Sequence, residues 1–241
     1  MYKHREISRA VLSLLLPNRC PFCDSIIGAA DYWCSECYSA LPFLQGALKP
    51  TGQLDGMYAC CEYKGRVVEA VHRMKNGLYS YAPDAFAVLM TELSADIPER
   101  IDVVTSVPCS CKRRLEIGYD HAARIAKDIS GRRGFKYKRL LRVTENKQEQ
   151  KKLSRKARFE NARNSYKIID RPYILNKNIL LVDDVSTTGA TLSAIASELK
   201  AAGAARVYAL TFAKVKYSRP SRKFYIRMGE RAATVNKGKI V

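Results

Sequence analysis

No apolar run in this chain approaches the roughly 20 residues that a helix needs to cross a bilayer, which argues against a membrane span. Acidic residues are scarce. Asp and Glu number 23 against 42 Lys and Arg, for a formal net charge of +19. Such a deficit of negative charge points to an anionic partner: phosphates, nucleic acid or an acidic membrane surface. The three histidines, His4, His72 and His121, stand apart in sequence and read as structural or surface residues. There is no Gly-Lys-Ser/Thr ending of a nucleotide phosphate loop, no three-glycine dinucleotide fingerprint, and no internal repeat.

The N-terminus also lacks something. Its apolar run, Ala10–Leu16, follows basic residues as in an export signal, but no small-residue cleavage site comes after it. Pro17 and a cysteine cluster follow instead. Ile7, Ala10, Val11, Leu14 and Leu15 fall on a helical stripe. The expectation is an amphipathic helix packed on the protein, with a membrane-surface role as the alternative. Without an export signal, a reducing, cytoplasmic compartment is expected.

A length of 241 residues suits one α/β domain of about 150–200 residues with a small appendage. The expected division is an N-terminal helix and metal-binding module over 1–45, a core domain over 46–213, and a basic tail over 214–241 with Tyr217, Phe224 and Tyr225 interleaved. Lys49–Asp55 reads as a linker. Strands are predicted in "MYACCEYKG", "IDVVTSVP", "NSYKII", "NILLVDD" and "ARVYALTFAK", with a short one at Leu140–Leu141. Helices are predicted over Val67–Met74, Asp84–Leu93, His121–Arg133 and Gly189–Ala202. Strands alternating with helices imply a mostly parallel sheet covered on both faces. Residues 142–163 are polar and basic without periodicity, a length of loop that is functional or disordered.

The most informative stretch is "NILLVDDVSTTGATL", 178–192. An apolar strand runs into Asp183 and Asp184, and a small, hydroxyl-rich turn opens a helix. Ligands of parallel sheets bind beyond the carboxyl ends of strands. The free N–H groups and positive dipole end of a helix N-terminus favour an anion. Ser186, Thr187, Thr188 and Thr191 add hydroxyl donors, and Gly189 lets backbone come close to a ligand. Carboxylates repel a phosphate but accept hydrogen bonds from hydroxyls. A ligand that satisfies both halves carries vicinal hydroxyls and, one sugar arm away, a phosphate, as ribose 5-phosphate does.

The other strong pattern is "CPFC" at 20–23 with "CSEC" at 34–37. Paired Cys-x-x-Cys knuckles set four thiolates around one tetrahedral ion. Cys20, Cys23, Cys34 and Cys37 are therefore expected to bind zinc. An all-thiolate site has no open position, so its role is structural. Cys60, Cys61, Cys109 and Cys111 lack this spacing and read as buried or loop thiols, with Cys109 and Cys111 flanking a basic turn where they could be reactive.

The stretch "ILLVDDVSTTGAT" resembles the phosphoribosyl diphosphate (PRPP) signature of type I phosphoribosyltransferases. That resemblance implies that Asp183 and Asp184 hold the ribose hydroxyls, directly or through Mg²⁺-bound water. It implies that Thr187, Thr188, Gly189 and Thr191 cradle the 5-phosphate, with Ser186 and Ala190 lining the loop. It also places a pyrophosphate loop after the first core strand, at "SVPCSCKRR", so Ser110, Cys111, Lys112 and Arg113 become candidates for that anion. The loop at 142–163, with Lys147, Lys151, Lys152, Arg155, Lys156 and Arg158, falls where these enzymes carry a flexible catalytic loop. A four-cysteine zinc module followed by such a domain resembles the bacterial ComF family. Further support lies in "YKGRVVEAVHRMKNG", "VPCSCKRRLEIGYDHAARIAK" and "QEQKKLSRKARFENARNSYKI". Gly118-Tyr119-Asp120-His121 stands where that family has Gly-Phe-Asn-Gln, Ile117 stands for an arginine, and the family's Pro-Pro-Gln is absent. The resemblance implies PRPP with Mg²⁺ as ligand and ribose 5-phosphate transfer to a nitrogen acceptor. Its other implication is a protein of natural transformation and DNA uptake, binding PRPP or nucleotide and single-stranded DNA.

Overall fold

The computed structural model describes residues 17–76, 81–109, 115, 118–144 and 165–215. Four strands make one sheet: β1 (Gly56–Glu62), β2 (Val103–Ser106), β5 (Asn178–Ser186) and β6 (Arg206–Lys214). Their order is β1-β6-β5-β2, and every pairing is parallel. Two short strands, β3 (Leu141–Val143) and β4 (Tyr166–Ile168), form a separate antiparallel pair. The helices are α1 (Ser35–Ser39), α2 (Arg66–Lys75), α3 (Ala82–Leu93), α4 (His121–Arg133), α5 (Arg171–Ile174) and α6 (Ala190–Ala201). This is the mostly parallel, helix-flanked sheet that the alternating pattern predicts, with the cysteine module at its N-terminal side.

The central strands are apolar on both faces, as a covered parallel sheet requires. On one face Leu180, Val182, Leu210 and Phe212 pack with Val71 and Met74 of α2, Phe86 and Met90 of α3, and Ile125 and Ile129 of α4. On the other, Ile179, Leu181, Val207 and Ala209 pack with Leu192, Ile195 and Leu199 of α6, and with Tyr166 of β4. Strand period two decides which residue serves which layer.

The cysteine module belongs to the first layer. Phe22, between Cys20 and Cys23, is fully buried with Phe86 and Phe212. Its ring centroid lies 6.1 Å from that of Phe86 and 6.3 Å from that of Phe212, and those two stack at 3.7 Å. Arg73 of α2 donates to the carbonyls of Pro21 and Phe22. Module and sheet therefore share one core.

Both sheet edges are covered. Phe43 and Leu48 bridge β1 antiparallel at Cys61 and Met57, and Tyr137 bridges β2 at Val104. The strand predicted over 101–108 is shorter, Val103–Ser106. Pro108 has no N–H to extend the ladder, although the Val107 N–H still reaches the carbonyl of Val182 at 2.9 Å. The segment Lys49–Asp55 is packed rather than a free linker. The Asp55 carboxylate bonds the Val207 N–H at 2.7 Å and pairs with Lys200 and Arg206. A Cβ on Gly52 would lie 1.8 Å from the Ser193 hydroxyl, so this segment rests directly on α6. Strand β6 runs through Lys214, so the first residue assigned to the basic tail is a buried part of the sheet. The N-terminal helix, the remainder of that tail from 216, and residues 145–164 of the polar loop lie outside the described residues. No helix among the described residues is long and apolar enough to cross a membrane.

Candidate active site and metal centre

Strand β5 carries the acidic pair to the carboxyl end of the sheet, between β6 and β2. The pattern of alternation sends the neighbours to opposite layers. Asp184 continues the Leu180–Val182 row toward α2, and Asp183 continues the Ile179–Leu181 row toward β4. The strand end then folds both carboxyls back on the backbone. Asp183 Oδ1 accepts the Asp184 N–H at 2.9 Å, and Asp184 Oδ1 accepts the Val185 N–H at 2.7 Å.

The two acids differ. Asp184 is 7% exposed, and its Oδ2 is 2.9 Å from the Lys75 ammonium at the end of α2. Asp183 is half-buried and has no cation of its own among the described residues. Burial, followed by the charge of Asp184, holds its carboxyl well above the usual range, against a smaller opposing pull from Lys75. In return, Asp183 adds to the burial that pushes the Tyr166 hydroxyl up to about 12.

After Ser186 the chain makes the turn Thr187-Thr188-Gly189 and enters α6. Thr187 and Thr188 are exposed, and Ala190 and Thr191 are half-exposed in the first turn of the helix. Gly189 is the N-cap in a left-handed conformation, φ +78°, without a side-chain cap. A Cβ there would lie 2.7 Å from Thr51 Oγ1, so both backbone and space demand glycine. The leading N–H groups of a helix have no partner within the helix. Thr188 Oγ1 accepts one of them, from Ala190, at 3.3 Å. The Ser186 and Thr51 hydroxyls are buried with no hydrogen-bond partner among the described residues.

The structure thus brings together Asp183, Asp184, Ser186, Thr187, Thr188, Gly189, Ala190 and Thr191. Of the second anion site it describes Cys109, whose N–H is 3.2 Å from Asp120 Oδ2, and Leu115. Ser110, Cys111, Lys112 and Arg113 lie outside the described residues. Asp120 also caps α4 by accepting from the Ala123 N–H. His121 is buried against the Tyr119 ring, and His72 is exposed.

Three residues at the site escape sequence reasoning. Lys75 reaches Asp184 from a helix about a hundred residues upstream. Thr51 comes from the supposed linker. Lys214, buried beside Ser186 on β6, donates to the Thr187 carbonyl at 3.3 Å, and burial lowers its ammonium pKa. No local pattern marks any of them, because each is brought in by strand pairing or helix packing.

The cysteines form a second, closed centre. The sulfurs of Cys20, Cys23, Cys34 and Cys37 all lie within 4.8 Å of one another. Cys23 and Cys34 are 3.7 Å apart, which fits a tetrahedral ion with Zn–S bonds of about 2.3 Å. The first knuckle closes through Cys20 N–H to Ser25 O and Asp24 N–H to Cys20 O, both 2.9 Å. In the second, Cys34 caps α1 by accepting the Cys37 N–H at 3.4 Å. Arg66 of α2 donates to the Cys37 sulfur at 3.1 Å. Burial raises the Cys23 thiol, but hydrogen bonds from Ser25 and from the neighbouring cysteines outweigh it and bring it down to about 6, whereas burial pushes the Cys20 and Cys37 thiols up. The thiolate is the metal-binding form, so Cys23 offers the first ligand and loading the other sulfurs releases protons. Four protein ligands leave no position for substrate, so the zinc is structural. Cys60 and Cys61 are fully buried on β1 and take no part.

No protein of curated function matches the chain. Among solved structures it is similar to the glutamine PRPP amidotransferase from B. subtilis complexed with ADP and GMP. The identity is 23%, over 54% of this chain and 26% of that one, with a TM-score of 0.40. It is also similar to a structure described as the allosteric regulatory enzyme of purine biosynthesis, again 23% identical over the same shares, with a TM-score of 0.38. The chain spans about a quarter of the length of either. The double zinc ribbon domain model matches residues 11–48, a stretch that holds one set of four cysteines, enough for a single ion. The phosphoribosyl transferase domain model matches residues 118–238, just over half of the 241 residues. The chain belongs to the phosphoribosyl transferase domain family.

Proposed function

We propose that the protein binds PRPP with Mg²⁺ at the Asp183–Thr191 corner and transfers its ribose 5-phosphate to a nitrogen acceptor. One observation carries this reading. In a chain of the phosphoribosyl transferase domain family, an acidic pair and a helix-opening threonine turn meet at the carboxyl end of a central parallel strand. The half-buried Asp183 and, behind it, Asp184 accept the ribose hydroxyls. Thr187, Thr188, Gly189 and Thr191 seat the 5-phosphate, helped by the positive end of α6, and Ser186 and Ala190 line the turn. Ser110, Cys111, Lys112 and Arg113 take the diphosphate. A Mg²⁺ ion keeps several waters and few protein ligands, so this sparse acid pair suits it, and it supplies charge neutralisation for the leaving diphosphate.

In the reaction the acceptor nitrogen's lone pair forms the new bond to ribose C1. The C1–O bond breaks, and diphosphate leaves with its electrons. The acceptor's proton passes to solvent. Acids below the ring and amides around the phosphate hold C1 in line with both partners. The whole arrangement, zinc module included, resembles the ComF family, and a cytoplasmic location is part of this proposal. Calorimetry with PRPP and Mg²⁺ tests the proposal, with Asp183 and Asp184 both changed to asparagine as the control. Heat from the unmutated chain and none from the control supports it, and no heat from the unmutated chain defeats it. Diphosphate release with a panel of bases then separates transfer from binding.

A second reading rests on a different surface. Residues 132–142 hold Arg132, Arg133, Lys136, Lys138, Arg139 and Arg142 and no acid, and of these Arg132 pairs with Asp128 and Lys138 with Asp170. Lys136 and Lys138 lie over the Tyr173 ring at 5.2 and 3.7 Å. Cations and rings together suit single-stranded nucleic acid, in keeping with a role in DNA uptake. This reading predicts salt-dependent binding of single strands that Asp184→Asn leaves intact. Removing the tail should weaken that binding, and the truncation has to start after Val215, because Lys214 belongs to the sheet.

A further inference from the structure

We infer that Lys75 is a ligand-exchanging residue of the acidic corner. Its ammonium is the counter-ion of Asp184 while the site is empty, and it moves to the anionic oxygens of a phosphorylated sugar once the sugar's hydroxyls take its place. The inference rests on the PRPP reading above and adds to it a residue and a source of selectivity.

Three observations carry it. Asp184 is nearly buried, so its charge needs a partner, and Lys75 is the one cation paired with it among the described residues. Lys75 is not itself sealed in: its side chain is 30% exposed, against 11% for that of Asp184. It is also the last residue of α2, followed by the C-cap Asn76. A long, partly exposed lysine side chain at a helix end has several staggered rotamers open to it. The two carboxyls and the Thr187 carbonyl are held in place. Asp183 and Asp184 are tied to backbone N–H groups, and Lys214 is tied to Thr187 from below.

The exchange conserves charge pairing. A sugar diol that bonds Asp184 releases an ammonium that would otherwise sit unpaired beside it. If the same ligand carries phosphate or diphosphate, the released ammonium gains a new partner at once. A free sugar offers the first half alone, and inorganic diphosphate the second. Each of these leaves one charge stranded at a partly buried site, which is costly. Lys75 thus couples recognition of hydroxyls to recognition of anions. It also bars a divalent cation from settling on Asp184 before the sugar phosphate arrives.

The test uses the full-length zinc-loaded chain and the variants Lys75→Met and Lys75→Arg. PRPP with Mg²⁺ is titrated by calorimetry, and Mn²⁺ alone by electron paramagnetic resonance. Lys75→Met should weaken PRPP about tenfold or more, the scale of one charge-assisted hydrogen bond. It should also strengthen binding of Mn²⁺ alone several-fold, because the competing ammonium is gone. Lys75→Arg should hold both values within about threefold of the parent. A merely structural ion pair predicts lower thermal stability with Mn²⁺ binding unchanged or weakened, and that outcome overturns the inference. So does PRPP affinity that stays equal in Lys75→Met. A parent chain that binds no PRPP removes the phosphoribosyl reading and this inference with it. A parent that binds while Lys75→Met binds equally well removes the inference alone. Circular dichroism on each variant separates lost binding from lost fold, and Lys75→Gln, also without the charge, takes the place of Lys75→Met in both titrations if Lys75→Met does not fold.

Discussion

The cysteine quartet and the acid–threonine corner are both ligand sites, and they are built in opposite ways. The quartet draws its four sulfurs from eighteen consecutive residues, all within 4.8 Å of one another. Its two knuckles are closed by hydrogen bonds within each loop. The corner has a nine-residue signature but is completed from elsewhere: Lys75 from α2, Thr51 from the segment before β1, and Lys214 from β6. Half of its own donors face solvent. A site that must hold one ion permanently can be local and closed. A site that must admit and release a ligand needs open positions, and parts of different elements to surround it.

The largest expected effect would break the first half of this contrast. Cys20→Ser, or removal of zinc by a strong chelator, takes away an ion whose binding orders small modules by about 10–16 kcal/mol. Because Phe22 is buried against the stacked pair Phe86 and Phe212, the damage should reach the sheet and lower Tm by about 10 °C or more. Thermal melts followed by circular dichroism check this. An unchanged sheet transition would mean that the module is separable after all.

The corner is sharpened by smaller changes. Gly189→Ala should destabilise by about 1–3 kcal/mol through its left-handed backbone and the approach of Thr51. It should also abolish phosphate binding, which titration would reveal. Asp184→Asn removes a nearly buried partner of Lys75 and should cost a similar 1–3 kcal/mol or so. Asp183→Asn should do the reverse, raising stability by roughly 1 kcal/mol while losing ligand. Its sign follows from the raised carboxyl. A folded-state pKa above the unfolded value means that ionising Asp183 costs stability as pH rises beyond the ordinary carboxylate range of about 4. Below that range both states are protonated and the cost vanishes. The gain from Asp183→Asn should therefore be present at pH 7 and gone near pH 3, measured by denaturant melts. Equal and parallel effects of the two asparagine changes would erase the distinction between the paired and the unpaired acid.

Much of the fold was legible in the chain. His121–Arg133 agrees at both ends with the helix read from sequence, because Asp120 supplies an N-cap and Gly134 a stop. The strand before the acidic pair and the helix after Gly189 were legible for similar reasons. The segment Lys49–Asp55 was misread. Pro50 and Gly52 are turn residues, and composition alone does not say that the turn packs against α6. The pairing of Asp184 with Lys75 was hidden too. Sequence adjacency suggests two equivalent carboxylates, but strand alternation and helix docking give one of them a cation and leave the other half-buried with no cation of its own among the described residues.

What the amino-acid order determined by itself is local: four sulfurs at knuckle spacing, an apolar strand that ends in acids, and a glycine where the helix opens. These depend on bonds and torsions spanning a few residues. What only the tertiary structure decided is which charges stand next to each other. Coulombic partners are chosen by the packing of α2 and β6 against β5, elements about thirty to a hundred residues away along the chain, and no short-range pattern encodes that distance.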